Sequence, residues 1–322
     1  MFVVTYRKIF FIISALLILI SIGAMVVYGF NFGIDFKGGT ITQVSYMTTT
    51  GPLVTAPTAT STPAAVSRPD QESVKAELNK LGLGNYVLQP TGELGFVLRT
   101  VELNEQQKQQ VLNALSLNGS RQITLENYNS IGPVVGNELK RKAVTSIALV
   151  VLGIVLFVTY AFRKVSEPVA SWKYGVATII ALIHDVIIPT GFYIIYSRYF
   201  GGEIDVLFVS AILAILGYSV HDTIVVFDRV REHLRINREE RNKENFETTV
   251  GKSVSETFGR SINTSLTIFL VLLALYIFGG EPTRHFAIVL LMGVIVGTYS
   301  SIFVASPLLV TLEKLQIKKS AK

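Results

Sequence analysis

The chain has 322 residues, of which half are hydrophobic, 16% are charged and none is cysteine, and it carries a net charge of +6. A soluble chain of this length is less apolar and more charged. The absence of cysteine excludes disulfides, thiolate catalysis and cysteine-ligated metal.

The apolar residues are clumped. The first run, Ile9–Phe30, follows Arg7 and Lys8. It is far longer than the apolar core of about 7–15 residues in a cleaved signal peptide, so residues 1–30 read as a retained transmembrane helix. Gly33-Ile34-Asp35-Phe36-Lys37-Gly38-Gly39-Thr40 comes next, where Gly38 and Gly39 permit positive backbone dihedrals as the chain enters a strand.

Residues 31–138 are mostly polar and read as an α+β domain. Thr40–Met47 alternates like a strand. The stretch 48–69 is rich in Thr, Pro, Ala and Ser, buries too little to offset its ordering entropy, and reads as a disordered insert. Asp70–Leu81 places Val74, Leu78 and Leu81 at helical spacing behind an Asp70 cap. Asn85–Gln89 and Leu94–Thr100 read as strands joined by a turn at Pro90–Gly92. Asn104–Leu117 is a second helix, and Gln122–Tyr128 alternates again. The order β-α-β-β-α-β is that of a ferredoxin-like sandwich.

Five further apolar runs follow: Ala143–Phe162, Tyr174–Tyr196, Val206–Phe227, Ile262–Phe278 and Phe286–Leu312. Each approaches or exceeds the roughly 20 residues that cross a bilayer. The sequence therefore reads as a polytopic α-helical membrane protein with six transmembrane helices and one ferredoxin-like extracytoplasmic domain between helices 1 and 2. Helices 2–6 occupy 139–313. Lys and Arg gather in alternate loops, above all in 228–261 and in the tail 314–322, which puts both termini and that loop in the cytoplasm. The basic charge thus has a topological cause and does not point to nucleic acid.

Two His-Asp pairs interrupt the apolar runs: His184-Asp185 in the third and His221-Asp222 in the fourth. An ionisable residue in hydrocarbon costs on the order of a few kcal/mol and marks an ion or proton pathway by default. Asp222 lies about six residues, roughly 9 Å, inside the cytoplasmic end of its helix. Tyr218 and Ser219 share its face. Arg260 opens the fifth run from the same side, ahead of Ser261-Ile262-Asn263-Thr264-Ser265. Asp222 and Arg260 reach similar depths on neighbouring helices. They could act as a proton-linked pair or as a static salt bridge. Neighbouring residues on a helix point about 100° apart, so His184 and His221 read as hydrogen-bonding helix contacts rather than metal ligands. A carboxylate can serve H⁺ or Na⁺, so the residue types leave the ion open.

No nucleotide or hydrolase motif survives inspection. Gly251-Lys252-Ser253 resembles the end of a phosphate-binding loop, but Phe246 stands where its first Gly belongs. We expect no catalytic residue, no metal, no cofactor and no enzyme activity.

The residues do resemble a known family. Gly33–Thr40, the sixteen residues from Gly217 to Glu232, Arg260 with Ser261–Ser265, Tyr276-Ile277-Phe278-Gly279-Gly280 and Leu182-Ile183-His184-Asp185-Val186 are similar to motifs of the SecF family of bacterial protein-export subunits. That resemblance implies the resistance-nodulation-division superfamily and pairing with a SecD chain. It also implies association with the SecYEG channel in the cytoplasmic membrane, and proton-driven export of unfolded polypeptides. By motif it assigns the proton pathway to Asp222 and Arg260. From their polarity in or beside the apolar runs, His184, Asp185, Tyr218, Ser219, His221 and Thr264 read as candidate supporting residues, and Gly38 and Gly39 as a structural motif. The insert 48–69 and a longer loop before Arg260 depart from the pattern. The alternative is a six-span half of a small-molecule or lipid exporter of the same superfamily.

Overall fold

The computed structural model describes residues 2–47, 67–163, 170–242 and 244–320. It divides into a helical unit, Met1–Asn31 with Ala143–Lys322, and a smaller α+β unit, Phe32–Lys142. The disordered insert expected at 48–69 lies, apart from residues 67–69, outside the described residues.

A short helix α1 (Phe2–Thr5) leads into α2 (Arg7–Tyr28). The smaller unit follows in the order α3 (Ile34–Lys37), β1 (Gly39–Tyr46), α4 (Gln71–Asn79), β2 (Val87–Thr91), β3 (Gly95–Thr100), α5 (Glu105–Leu115) and β4 (Ile123–Ile131). Its sheet runs β2-β3-β1-β4 with every pairing antiparallel. This is the expected sandwich order. Its core is built from the predicted apolar faces: Val44 and Tyr46 of β1, Val74 and Leu78 of α4, Phe96 and Leu98 of β3, and Val111 and Leu115 of α5. Both caps follow from sequence. The Asp70 side chain accepts from the Glu72 N–H, and Asn104 and Gln107 bond each other reciprocally at the start of α5.

Two details differ from the sequence reading. Pro90 belongs to β2, paired with Phe96, and the turn falls after Thr91. Proline is tolerated there because β2 is an edge strand. β4 also extends three residues past Tyr128, held by β1 as far as Ile131 against Gly39. Gly38 and Gly39 have φ of 77° and 132°. A Cβ on Gly38 would lie 2.9 Å from the Pro133 backbone, and one on Gly39 would lie 2.6 Å from the Thr100 carbonyl oxygen. Both the conformation and the close approach require glycine.

The helical unit continues with α6 (Pro133–Ala161), α7 (Ser171–Phe200), α8 (Val206–Glu239), α9 (Phe246–Phe278), α10 (Glu281–Ser300), a π turn (Ser301–Ala305) and α11 (Ser306–Ser320). Among the described residues, six helical segments are long and apolar enough to span a bilayer. α10 packs against α7, α8 and α9, and α2 packs against α7. Leu16, Leu19 and Ile20 of α2 and Leu149, Leu152 and Leu156 of α6 are exposed, whereas the polar side chains Ser219, Asp185 and Ser300 are buried. An apolar outside around a polar interior is the arrangement hydrocarbon favours.

Small residues let the central helices approach. Gly293 and Gly297, one turn apart on α10, face Ile215 and Ser219 of α8, and Gly191 of α7 lies against Ser21 of α2. The π turn sits just before Pro307, whose ring nitrogen has no hydrogen for a helical bond.

The predicted cytoplasmic loop 228–261 is largely helix. α8 runs on to Glu239, and α9 starts at Phe246 under an Asn245 cap. Phe227, Val230, Phe246, Val250 and Val254 share one buried cluster, so the two extensions have an apolar seam that charge counting hides. Ion pairs tie them down. Arg229 bonds Glu256 at 2.5 Å, and Glu247 takes both Arg7, at 2.7 Å, and Lys314. The predicted tail from 314 likewise continues α11 to Ser320.

Candidate functional site

Two buried polar networks run through the helical unit, each centred on a carboxylate. The deeper one surrounds Asp185 of α7, whose exposure is 0%. Its Oδ2 accepts from Ser300 Oγ of α10 at 2.7 Å and from Ser219 Oγ of α8. Its Oδ1 meets His184 Nδ1 at 2.9 Å. The His184 ring stacks on Tyr299 with centroids 5.9 Å apart, and its Nε2 is buried with no hydrogen-bond partner. Pro189, four residues on, lacks the N–H that would close the helical bond to the Asp185 carbonyl.

The hydroxyls beyond Asp185 form a chain. Ser300 Oγ also reaches the Gly297 carbonyl at 3.1 Å. Ser301 Oγ reaches the carbonyls of Gly297 at 3.0 Å and Ser219 at 3.3 Å, and pairs with Thr223 Oγ1 at 2.8 Å. The close α8–α10 packing at Gly297 allows this, since a Cβ there would stand 3.0 Å from that of Ser219.

The second network surrounds Asp222 of α8, 6% exposed. Its Oδ1 accepts from Ser261 Oγ of α9 at 2.6 Å, while Oδ2 is buried without a partner. Ser265 Oγ bonds the Ser261 carbonyl at 2.7 Å, Tyr218 Oη at 2.6 Å and Thr298 Oγ1 at 2.5 Å. Three helices thus converge on one polar stripe.

Arg260 precedes Ser261 and is exposed. No ion pair joins it to Asp222 among the described residues. It lines a cleft of about 440 Å³ with Asp228, Arg229, Glu232, Glu256 and Thr257. Outside the bilayer-spanning helices, Lys252 holds the Glu244 carboxyl below the usual range through a side-chain bond, which Asn237 and Thr249 reinforce.

The expected residues divide accordingly. Asp185, His184 and Ser219 come together, and Tyr218 joins the Asp222 network through Ser265. His221 and Thr264 are exposed and belong to neither network. The expectation that adjacent His and Asp side chains diverge holds for His221-Asp222 but not for His184-Asp185, whose rotamers converge on one bond. Sequence reasoning missed Thr298, Tyr299, Ser300 and Ser301. Their signal was a run of four hydroxyl residues inside the sixth apolar segment.

The family model for the C-terminal region of protein export membrane protein SecD/SecF matches residues 110–315, and that for the SecD/SecF GG motif matches 23–46. The chain belongs to the SecD/SecF family. Its GG motif contains Gly38 and Gly39, and the C-terminal match contains every residue of both buried networks. Among curated SecD/SecF relatives, the protein translocase subunit SecF of Thermobaculum terrenum is 37% identical over 97% of this chain and 93% of its own. That of Anaerolinea thermophila is 35% identical over 95% and 92%. The crystal structure of SecDF from Thermus thermophilus, described as a translocon-associated membrane protein, superimposes with a TM-score of 0.76 at 30% identity. This chain is covered to 97% by that comparison but spans 38% of the SecDF chain.

Proposed function

We propose that this chain is the SecF-type subunit of a bacterial protein translocase. In this reading it works with a SecD chain beside the SecYEG channel and uses the proton motive force to draw exported, unfolded polypeptides across the cytoplasmic membrane. It is a multi-pass subunit with both termini cytoplasmic and the Phe32–Lys142 unit on the far side. Its role is mechanical, with no catalytic residue. The near full-length similarity to proteins named SecF supports the subunit assignment. The SecDF chain, of which this chain spans 38%, supports a SecD partner.

The observation that carries the coupling role is the bond from Ser261 to Asp222 at 2.6 Å, with Arg260 one residue away on the same helix. A buried carboxylate is tolerated when it is paired, hydrated or protonated. With a proton on Asp222 Oδ1, the α9 hydroxyl turns to accept from it, and on either oxygen the proton lowers the attraction to Arg260. With the proton gone, the guanidinium is drawn inward from its cleft. Proton binding at one atom thereby shifts α8 against α9. This chain requires its partner for the rest of the path.

The test is Asp222→Asn in membrane vesicles that contain the whole translocase. The variant should assemble and keep its thermal stability, while export lost on adding an uncoupler in wild type should already be missing. Export that stays gradient-dependent in the variant would refute the assignment.

A further inference from the structure

Asp185 is more deeply buried than Asp222, and the pathway assigned by resemblance does not use it. We propose that the Asp185 carboxyl is a second proton-binding site in this chain, that Ser300 is its hydrogen-bond switch, and that its ion is H⁺ rather than Na⁺. The proposal deepens the coupling reading above, but the binding itself can be tested without it.

The argument begins with the partners. Ser219 Oγ, Ser300 Oγ and His184 Nδ1 surround the two oxygens of Asp185. All three can donate, which suits an ionised carboxylate. His184 Nε2 is buried and unbonded, so a second ring proton there would have no acceptor. With the ring carrying its proton on Nδ1 alone, an ionised Asp185 leaves the pair with one uncompensated negative charge inside the helical unit. A single proton removes that charge.

The surrounding hydroxyls can accommodate both states. Ser300 Oγ has two acceptors in reach, Asp185 Oδ2 at 2.7 Å and the Gly297 carbonyl at 3.1 Å. When a proton binds Oδ2, the new O–H donates to Ser300 Oγ, and the Ser300 hydrogen turns to Gly297. When the proton leaves, Ser300 turns back. Ser300 keeps an acceptor and Asp185 Oδ2 keeps a partner in both states, and the balance is one proton bound and one released. Ser301 has the same redundancy between the Gly297 and Ser219 carbonyls, so the Gly297 oxygen need not lose one donor to gain the other.

The same geometry argues against sodium. A hard cation takes several oxygen lone pairs at once. Here two serine hydroxyls donate to Asp185, and its third neighbour is a ring nitrogen rather than an oxygen.

The titratable side chains around Asp185 are few. α7 supplies His184. α10 supplies Tyr299, stacked on His184. α8 supplies Asp222 and His221, three and two residues beyond Ser219. α2 between Ser14 and Ser21 and the π turn 301–305 contain none.

The experiment is difference infrared spectroscopy of the full chain in lipid nanodiscs through a pH titration. We expect a protonated-carboxyl band that disappears in Asp185→Asn, persists in Asp222→Asn, and moves to higher frequency in Ser300→Ala because its acceptor is lost. Adding NaCl at fixed pH should leave the band in place. Ser300→Ala keeps the carboxyl, so it serves as the readout if Asp185→Asn does not fold. Any band that is lost in Asp222→Asn belongs to that carboxyl; if no band persists in Asp222→Asn and is lost in Asp185→Asn, or if that band does not move in Ser300→Ala or is competed away by NaCl, the proposal is overturned. Gradient-dependent export that persists in Asp222→Asn would instead remove the coupling reading and leave this site standing.

Discussion

Ser261 Oγ of α9 donates to Asp222 Oδ1 of α8 at 2.6 Å, and it is this hydroxyl, not the neighbouring guanidinium, that holds the carboxylate. Because Asp222 Oδ2 has no partner, Ser261→Ala strips the side chain of its one hydrogen bond. The expected cost is about 1–3 kcal/mol of stability, together with slower gradient-driven export. Arg260→Ala, at an exposed position, should slow export with little change in thermal midpoint. Calorimetry of the solubilised chain and vesicle export assays separate the two; equal destabilisation by both variants would contradict this division of roles.

Helix approach at Gly293 is equally specific. A Cβ there would lie 2.1 Å from Ile215 Cγ1, and Ile215 is 1% exposed, so it has nowhere to go. Gly293→Ala should cost about 1–3 kcal/mol through overpacking. Adding Ile215→Ala to that variant should recover part of the loss. Thermal unfolding of the single and double variants gives the comparison, and a double variant no better than additive would count against a direct clash.

In the smaller unit, Gly39→Ala must place a side chain at φ 132° with its Cβ 2.6 Å from the Thr100 carbonyl oxygen. We expect a loss of about 1–3 kcal/mol and weakened pairing of β1 with β3. Gly119→Ala, also at positive φ but with nothing within 4 Å of the added Cβ, should cost less. Amide exchange of β1 and β3 measures the difference.

Tyr46 gives the small unit an alkaline limit. Burial pushes its hydroxyl up to about 12, against an opposing pull from Arg121, while the group donates to the Leu115 carbonyl at 2.7 Å. The unfolded chain ionises near pH ~10, so the native state keeps a proton that the unfolded state loses. The stabilisation is complete below about pH 10 and is lost as pH rises toward about 12, a change of about 2–3 kcal/mol. Tyr46→Phe should abolish that slope and cost about 1 kcal/mol at neutral pH. Denaturant unfolding at several pH values tests it, and a parallel decline in wild type and variant would assign the slope elsewhere.

Much of this was legible in sequence because its signals are local. Val74 and Leu78 lie on one helical face, Asp70 and Asn104 cap, and Gly38 and Gly39 take the backbone angles that only glycine tolerates well. Local signals also misled. Charge counting made 228–261 a loop, yet Phe246, Val250 and Val254 repeat every four residues and bury against Phe227 and Val230. Asp222 is conspicuous in the sequence as a charge within an apolar run, and Arg260 as a charge at similar depth, whereas nothing local singles out Ser261 as the hydroxyl that bonds it.

The sequence by itself determined the six apolar helices, the α+β insertion, the glycine turn at 38–39 and the presence of two costly carboxylates, since length, periodicity and desolvation cost depend on residue order alone. Only the tertiary structure decided which groups satisfy those carboxylates. Ser300 lies 115 positions from Asp185 and Ser261 lies 39 from Asp222. Their meeting depends on how closely the helices approach, and for α10 against α8 that closeness rests on Gly293 and Gly297, more than 70 positions along the chain from either carboxylate.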